Sequence, residues 1–295
     1  MPGLQTALSG IVLLVLSLPG CSRPPDDTVE SGLWFFVLVK SSNYSQSDTG
    51  ELTLLNYHFF SEIFPKDGDS GSFTGQMTRH DAPDAPMPYD DRGTNYYIEG
   101  GHFDTLADLD RAYPNGNFIF EMSSEVLAIK TELTLSGPDG KTDIPAPVTI
   151  TLLQNGQPIE PGAIEPAGAL TIRWSEYSNG GPDPNGIVDD MIFVVIQNCH
   201  GKRIVHTGLP FKRNDYLTYR AKELVVEPDS LEPGQPYAMF VEFPHVVDSV
   251  VVEGVPGFTS YATATYLDIH TSGEPVDASC LEEMPPMDTG QTDRG

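Results

Sequence analysis

The chain has 295 residues, and its 16 Lys+Arg against 42 Asp+Glu give a formal net charge of −26. So large a negative charge repels phosphate backbones, which argues against nucleic acid as a partner. The 28 glycines and 26 prolines exceed the average combined usage of about 12%, while 39% hydrophobic residues suffice for a packed interior. This composition excludes a wholly disordered protein and favours a turn-rich β protein. The length predicts about two domains, at roughly 150 residues each.

The first 20 residues have the pattern of an export signal. The apolar run over residues 8–18 is shorter than the roughly 20 residues that a membrane helix needs, and it ends in "LPGC", residues 18–21. This tetrapeptide resembles the lipobox of bacterial lipoproteins, whose cysteine receives a lipid. The resemblance implies a lipid anchor on Cys21 that holds the protein to a membrane. It also implies an outer-membrane or cell-surface location in a Gram-negative bacterium. An ordinary secretory signal, cleaved nearby, is the alternative.

The remaining chain is predicted to be mainly β. From Leu33 onward, short runs rich in Val, Ile, Phe, Tyr and Thr alternate with Gly, Pro, Asp and Asn clusters about every ten residues. The segment "SGPDGKTDIPAP" has no apolar period and is a suitable boundary. We therefore expect two β-sandwich-like domains. The predicted division is a signal peptide (1–20), a polar tether (21–32), an N-terminal β-rich domain (33–143), a second sandwich (144–272) and an acidic tail (273–295).

One segment of the first domain has a helical pattern instead. In "FDTLADLDRAYP", Leu106, Leu109 and Ala112 recur at helical spacing, Thr105 can cap the helix, and Pro114 follows its end. The spacing predicts one short helix within the first domain.

The second domain carries two motifs of a known sandwich family. "GALTIRWSEY" places Trp174 on the apolar face of a strand, and "LEPGQPYAMFVEF" brings Tyr237 just before another alternating strand. Together they resemble fibronectin type III and related immunoglobulin-like domains, where a tryptophan fills the core and the tyrosine forms a corner with upstream backbone. The resemblance covers about residues 147–272 and implies a fold alone. Such a sandwich can be a spacer, a docking module or a ligand binder.

Two cysteines remain after Cys21. Cys199 and Cys280 are an even pair in an exported chain, so a disulfide is chemically permitted. Cys280 lies in the acidic tail, and a bridge would hold that tail against the second domain. Two free thiols are the alternative.

A single loop of the second domain concentrates oxygen ligands. In "NGGPDPNGIVDDM", Asp183, Asn185, Asp189 and Asp190 stand among glycines, as suits the six to eight oxygen ligands of calcium. The regular spacing of an EF-hand loop is missing. The hypothesis is a calcium site, and the alternative is a surface loop that joins two strands.

Basic residues concentrate in residues 202–222, where six of the 16 in the chain occur together with Tyr216 and Tyr219. They are Lys202, Arg203, Lys212, Arg213, Arg220 and Lys222. One interpretation is contact with an anion or an acidic glycan. The other is pairing within the molecule with the acidic majority, or protection of an exposed strand edge.

No hydrolase or zinc motif such as G-x-S-x-G, H-E-x-x-H or C-x-x-C occurs in the chain. We therefore predict a lipid-anchored cell-surface binding or structural protein without catalytic activity, with a surface protein or a glycan as ligand. The alternative function is an extracytoplasmic, polysaccharide-directed hydrolase with two carboxyl groups roughly 5–10 Å apart in the first domain. Facing carboxyl groups, one with a raised pKa, would favour the enzyme, whereas a row of exposed aromatic rings would favour binding. The ligand's identity and the oligomeric state are left open.

Overall fold

The chain folds mainly into β-strands, as predicted. A computed structural model describes residues 32–66, 73–125, 127–212 and 216–281. These residues contain seventeen strands and one α-helix, α1 (Leu106–Ala112). None of the helices in these ranges has the length and apolar composition needed to span a bilayer.

The strands and short helices follow one another in this order. The strands are β1 (Leu33–Gln46), β2 (Leu52–Pro65), β3 (Thr74–Arg79), β4 (Met87–Pro88), β5 (Asp90–Asp91), β6 (Tyr96–Phe103), β7 (Gly116–Ser123), β8 (Ala128–Leu135), β9 (Ile150–Gln154), β10 (Gln157–Pro158), β11 (Leu170–Trp174), β12 (Met191–Asn198), β13 (Arg203–His206), β14 (Leu217–Thr218), β15 (Glu223–Val226), β16 (Pro236–Val252) and β17 (Val255–His270). Two 3₁₀ helices span Pro138–Gly140 and Ala278–Leu281.

A nine-stranded central sheet runs through both halves of the molecule. Its order is β13-β12-β16-β17-β1-β2-β6-β5, with β14 paired to β12. The hairpin of β16 and β17 is its longest part, at 17 and 16 residues, or roughly 55 Å at about 3.3 Å per residue. Glu253 and Gly254 turn this hairpin with positive φ angles of 50° and 76°, as a tight hairpin turn requires. β1 then lies parallel to β17, from Phe36 opposite Gly257 to Ser45 opposite Tyr266.

The first core lies between one half of this sheet and the four-stranded sheet β4-β3-β7-β8. Phe36, Phe59 and Phe118 are fully buried in it, and so are Val255 and Tyr261 from the long hairpin. The hairpin therefore belongs to both predicted domains, although its residues all lie beyond the predicted boundary at 143/144. The hairpin contributes to both cores because β16 and β17, at 17 and 16 residues, extend beyond the second sandwich into the first.

The second core lies between the sheet β10-β9-β11-β15 and strands β13, β12, β16 and β17 of the central sheet. Trp174 and Tyr237 are 7% and 2% exposed, so their predicted places in the core are confirmed. The Tyr237 hydroxyl accepts a hydrogen bond from the Glu232 backbone N–H at 2.7 Å. This bond is the tyrosine corner that the immunoglobulin-like resemblance implies.

The predicted helix is also present, as α1. The Thr105 side chain accepts a hydrogen bond from the Asp108 backbone N–H at 3.1 Å, and this bond caps the first turn. Leu109 is fully buried in the first core. The ring of Tyr113, just after the helix, stacks on Phe59 at 3.8 Å between centroids, which fixes α1 against β2.

Candidate functional site: an apolar trough on the central sheet

The central sheet has a second apolar face, opposite the two cores. Side chains alternate along β1, so that Phe36 and Leu38 enter the first core while Phe35 and Val37 point the other way. Phe35 there stacks on Phe64 and Phe258, with ring centroids 4.2 and 5.9 Å away. Further apolar residues of this third cluster are Val39, Val188, Met191, Val246 and Ala262, with Leu209 and Phe211 packed against them.

This face forms a partly open cavity of about 60 Å³. We call it the trough. It is lined by Phe35, Val37, Val39, Phe60, Glu62, Phe64, Met191, Phe193, Val195, His206, Leu209, Pro210, Phe240, Glu242, Pro244, Phe258 and Ser260. Its mainly apolar, aromatic lining with a few polar groups is typical of small-molecule binding sites.

Glu242 is the most unusual residue of the trough. It lies on β16 between Phe193 and Ala264 of the neighbouring strands, and it is partly buried. Within the described ranges, no hydrogen bond or ion pair satisfies its carboxylate. Burial raises the pKa of this carboxyl from 4.5 to about 7, since desolvation disfavours the charged form. The trough therefore contains a carboxyl group without a polar partner in the described part of the protein.

Glu62 is the second acid of the trough. It is 1% exposed, and its carboxylate accepts a hydrogen bond from the side-chain amide of Asn95. His206 contributes a ring to the same lining, and its Nδ1 accepts a hydrogen bond from the Gly208 backbone N–H at 2.9 Å. Glu62 and His206 thus have protein partners, unlike Glu242.

The two acids do not form a pair. Glu62 lies opposite Val37 on β1, and Val37 lies opposite Phe258 on β17, whereas Glu242 lies opposite Ala264, six residues further along β17. The strands of the two acids, β2 and β16, are three interstrand spacings apart. At about 4.8 Å per spacing, this alone separates the two backbones by roughly 14 Å across the sheet. Two carboxyl groups that flank one glycosidic bond are roughly 5–10 Å apart. The trough therefore does not have the geometry that the hydrolase alternative requires.

The predicted calcium ligands serve as acceptors for the protein's own donors. Asp183 accepts hydrogen bonds from the Asn185 and Ile187 backbone N–H groups and from the Ser249 hydroxyl. Asp190 accepts hydrogen bonds from Gly181, Val246 and His245.

Asn185 donates to Asp248 and Ser249, and Asp189 pairs with Arg220 at 2.8 Å. In the described ranges, the three aspartates are not among the groups whose ligand atoms all lie within 4.8 Å of one another. Their contacts are those of the alternative, a loop that joins two strands, and the calcium site stays a prediction.

The predicted cysteine pair lies together. A disulfide joins Cys199 and Cys280, with Cα atoms 5.4 Å apart, and it holds residues near 280 against the end of β12. His200 beside it contacts Asp277 at 2.9 Å. The predicted lipidation site, Cys21, lies outside the described residues.

Members of the basic segment form contacts within the molecule. Arg220 pairs with Asp189 and lies 4.3 Å above the Tyr219 ring, while Lys212 lies 5.7 Å from the Phe64 ring. The Arg220–Asp189 contact matches the interpretation of pairing with an acid, whereas the Lys212 contact is with an aromatic ring. Arg213 lies outside the described residues.

Sequence reasoning missed the trough and both of its acids. The available signal was "LWFFVLVK", which is apolar in both alternation phases and thus predicts a strand buried on both faces. Glu62 and Glu242 alternate with apolar residues as solvent-facing side chains do, so nothing local marks them as buried.

Comparisons with known proteins add little to this geometry. No family model matches the chain, and no curated protein matches it. A solved structure named as the BSP domain of a biofilm-associated protein is 6% identical at a TM-score of 0.20, covering 80% of this chain and 30% of that one. The chicken CNTN1 FN1–FN3 domains are 8% identical at a TM-score of 0.22, covering 83% and 67%. This chain thus spans under a third of the biofilm-associated structure. The two TM-scores and sequence identities are too low to indicate a shared role. The assignment of a mainly β chain with an immunoglobulin-like second half rests on its own strand order and tyrosine corner.

Proposed function

We propose that this chain is an exported, lipid-anchored binding protein without catalytic activity, and that its trough binds a cationic amphiphile. The observation that carries the proposal is the carboxyl of Glu242, which lies in an apolar trough without a polar partner among the described residues. The anchor rests on the resemblance of residues 18–21 to a lipobox.

The chemistry of the trough selects the class of ligand. Aromatic side chains such as Phe193 and Phe240 offer surface to an apolar body. Glu242 can accept hydrogen bonds and, above its pKa of about 7, can pair with a cation. The net charge of −26 adds a long-range attraction for cations and a repulsion for anions. An alkyl chain that carries a primary ammonium group satisfies each of these requirements.

Binding is favoured over hydrolysis because the two acids of the trough stand on strands separated by two others. Glu62 is already held by Asn95, and Glu242 is too distant to act on the same bond. Glu62 and Glu242 can lie at opposite ends of a bound ligand. They cannot act as acid and base on the same bond of that ligand.

Titration calorimetry with dodecylammonium, below its micelle concentration and at pH 8, tests the proposal. A charge-assisted hydrogen bond contributes about 1.5–3 kcal/mol, so Glu242→Gln should weaken binding by roughly 10- to 100-fold. Glu227→Gln removes an equal charge from an exposed position and should leave the affinity unchanged. Dodecanoate should not bind. Equal affinity of the wild type and Glu242→Gln for dodecylammonium, or equal binding of dodecanoate, would overturn the proposal.

A further inference from the structure

Three metal-ligating side chains converge at the β2–β6 side of the central sheet, outside the lining of the trough. One ligand atom from each of His58, Glu99 and His102 lies within 4.8 Å of the other two. His58 Nε2 and Glu99 Oε1 are 2.7 Å apart, and the His58 and His102 rings stack at 4.2 Å. The cluster therefore combines two imidazoles and one carboxylate.

An irregularity in β6 brings this cluster together. His58 on β2 lies directly opposite His102 on β6, and Phe60 lies opposite Glu99. Phe59 alone on β2 thus lies opposite Gly100 and Gly101 on β6, which is a β-bulge. In a regular strand, side chains three residues apart point to opposite faces. The extra residue lets Glu99 and His102 meet on one face.

The bulge depends on two consecutive glycines. Gly101 has a φ of +96°, which side chains rarely permit, and a Cβ on Gly100 would clash with the ring of Phe59. Bulges are enriched next to functional sites, where they redirect a side chain. The "GGH" sequence of residues 100–102 is thus the local cause of the cluster.

We propose that His58, Glu99 and His102 bind a divalent late first-row transition metal, for which zinc is the probe. Two imidazole nitrogens and a carboxylate suit zinc, whereas calcium and magnesium prefer oxygen ligands alone. This inference goes beyond the proposed function and does not depend on the trough's ligand.

The burial of the three ligands indicates a half-open site. His58 is fully buried, while Glu99 and His102 are exposed, so the protein surrounds the metal on one side and leaves positions for water on the other. The Gly101 backbone N–H donates to Glu99 Oε1 at 3.2 Å and orients that carboxylate. The Nδ1 atom of the buried His58 ring has no hydrogen-bond partner in the described ranges, so the protein satisfies this imidazole only in part.

Metal binding must move a hydrogen here. The short contact of His58 Nε2 with Glu99 Oε1 needs a hydrogen between the two atoms, and a metal bound to both takes its place. A neutral imidazole can carry that hydrogen on Nδ1 instead, the atom of His58 that has no protein partner in the described ranges.

Calorimetric titration of the oxidised full chain with zinc chloride, after removal of metals by a chelator, tests the site. The wild type should bind one zinc at this site, and His102→Ala and Glu99→Gln should each weaken that binding at least tenfold. Both changed residues are exposed, and Glu99→Gln keeps the shape of the side chain, so it tests the site even if His102→Ala disturbs the fold. His270→Ala, at another exposed histidine, is the matched control and should bind like the wild type.

A second control separates this site from the other ligand group of the described residues, Cys199, His200 and Cys280. His200→Ala should retain the zinc affinity, because the disulfide already occupies the two sulfur atoms. Unchanged zinc affinity in both His102→Ala and Glu99→Gln would overturn the inference. Loss of zinc binding in His200→Ala alone would overturn it equally.

Discussion

Glu242 should make the stability of this protein fall as the pH rises from about 4.5 to about 7. Its pKa is 4.5 for a solvated side chain and about 7 in the folded state. Between these values the native state binds more protons than the unfolded state, so the free energy of unfolding decreases with increasing pH. Each pKa unit corresponds to about 1.4 kcal/mol, so the ionised carboxylate costs about 3 kcal/mol above pH 7. By the same linkage the cost is under about 1 kcal/mol at pH 5.

The change to make is Glu242→Gln, which keeps the shape of the side chain but cannot ionise. Urea unfolding of both proteins at pH 5 and pH 8 gives the difference in their free energies of unfolding at each pH. We expect that difference to shift in favour of the variant by about 2–3 kcal/mol between the two pH values. All other ionisable groups, including Glu62 and His206 in the same trough, are present in both proteins and cancel to first order.

The matched control is Glu227→Gln, which lies at an exposed position and should show no such shift. A difference between wild type and Glu242→Gln that stays constant from pH 5 to pH 8 would refute the reasoning. The carboxyl would then be solvated in the folded protein.

Four other substitutions test separate parts of the structure. Trp174→Ala should lower the free energy of unfolding by about 3–5 kcal/mol through loss of core packing, and an unchanged thermal midpoint would contradict its place in the core. Tyr237→Phe leaves the Glu232 N–H without its acceptor and should cost about 1–3 kcal/mol in urea unfolding, so a loss near zero would mean that water replaces the hydroxyl. Cys280→Ser should cost about 2–4 kcal/mol by thermal melting, and peptide mapping of the wild type that finds both thiols free would exclude the disulfide. Cys21→Ser should abolish incorporation of labelled palmitate in bacterial cells, and equal labelling of both proteins would rule out a lipid on this cysteine.

Local patterns predicted what depends on local causes. Trp174 follows the alternation of Leu170 and Ile172, and all three are buried in the second core. Thr105 precedes a helical spacing and caps α1. In these places the strand or helix packs one face against a core. The spacing of the apolar residues in the sequence indicates which face that is.

The trough and the histidine cluster could not be predicted because both depend on contacts distant in the sequence. Glu242 shares the trough with Phe35 and Val37 because β1 pairs with β17, a contact more than 200 residues apart. His58 and His102 meet only through the pairing of β2 with β6. In the loop at 179–191 the acids are close in sequence, but they accept hydrogen bonds and an ion pair from donors on different parts of the chain, which the sequence pattern does not indicate.

The position of β1 determines how this protein bears a mechanical load. A chain that is held at its amino-terminal side transmits tension directly into Leu33–Gln46, which lies in the middle of the sheet between β17 and β2. A pull along this strand shears its hydrogen bonds to both neighbours at the same time, whereas an edge strand pulled sideways unzips one bond after another. The same strand fills both faces of the sheet with apolar side chains, so extraction would expose the first core and the trough together. Tension applied to the amino-terminal side of β1 would therefore be borne by the hydrogen bonds to two neighbouring strands at once.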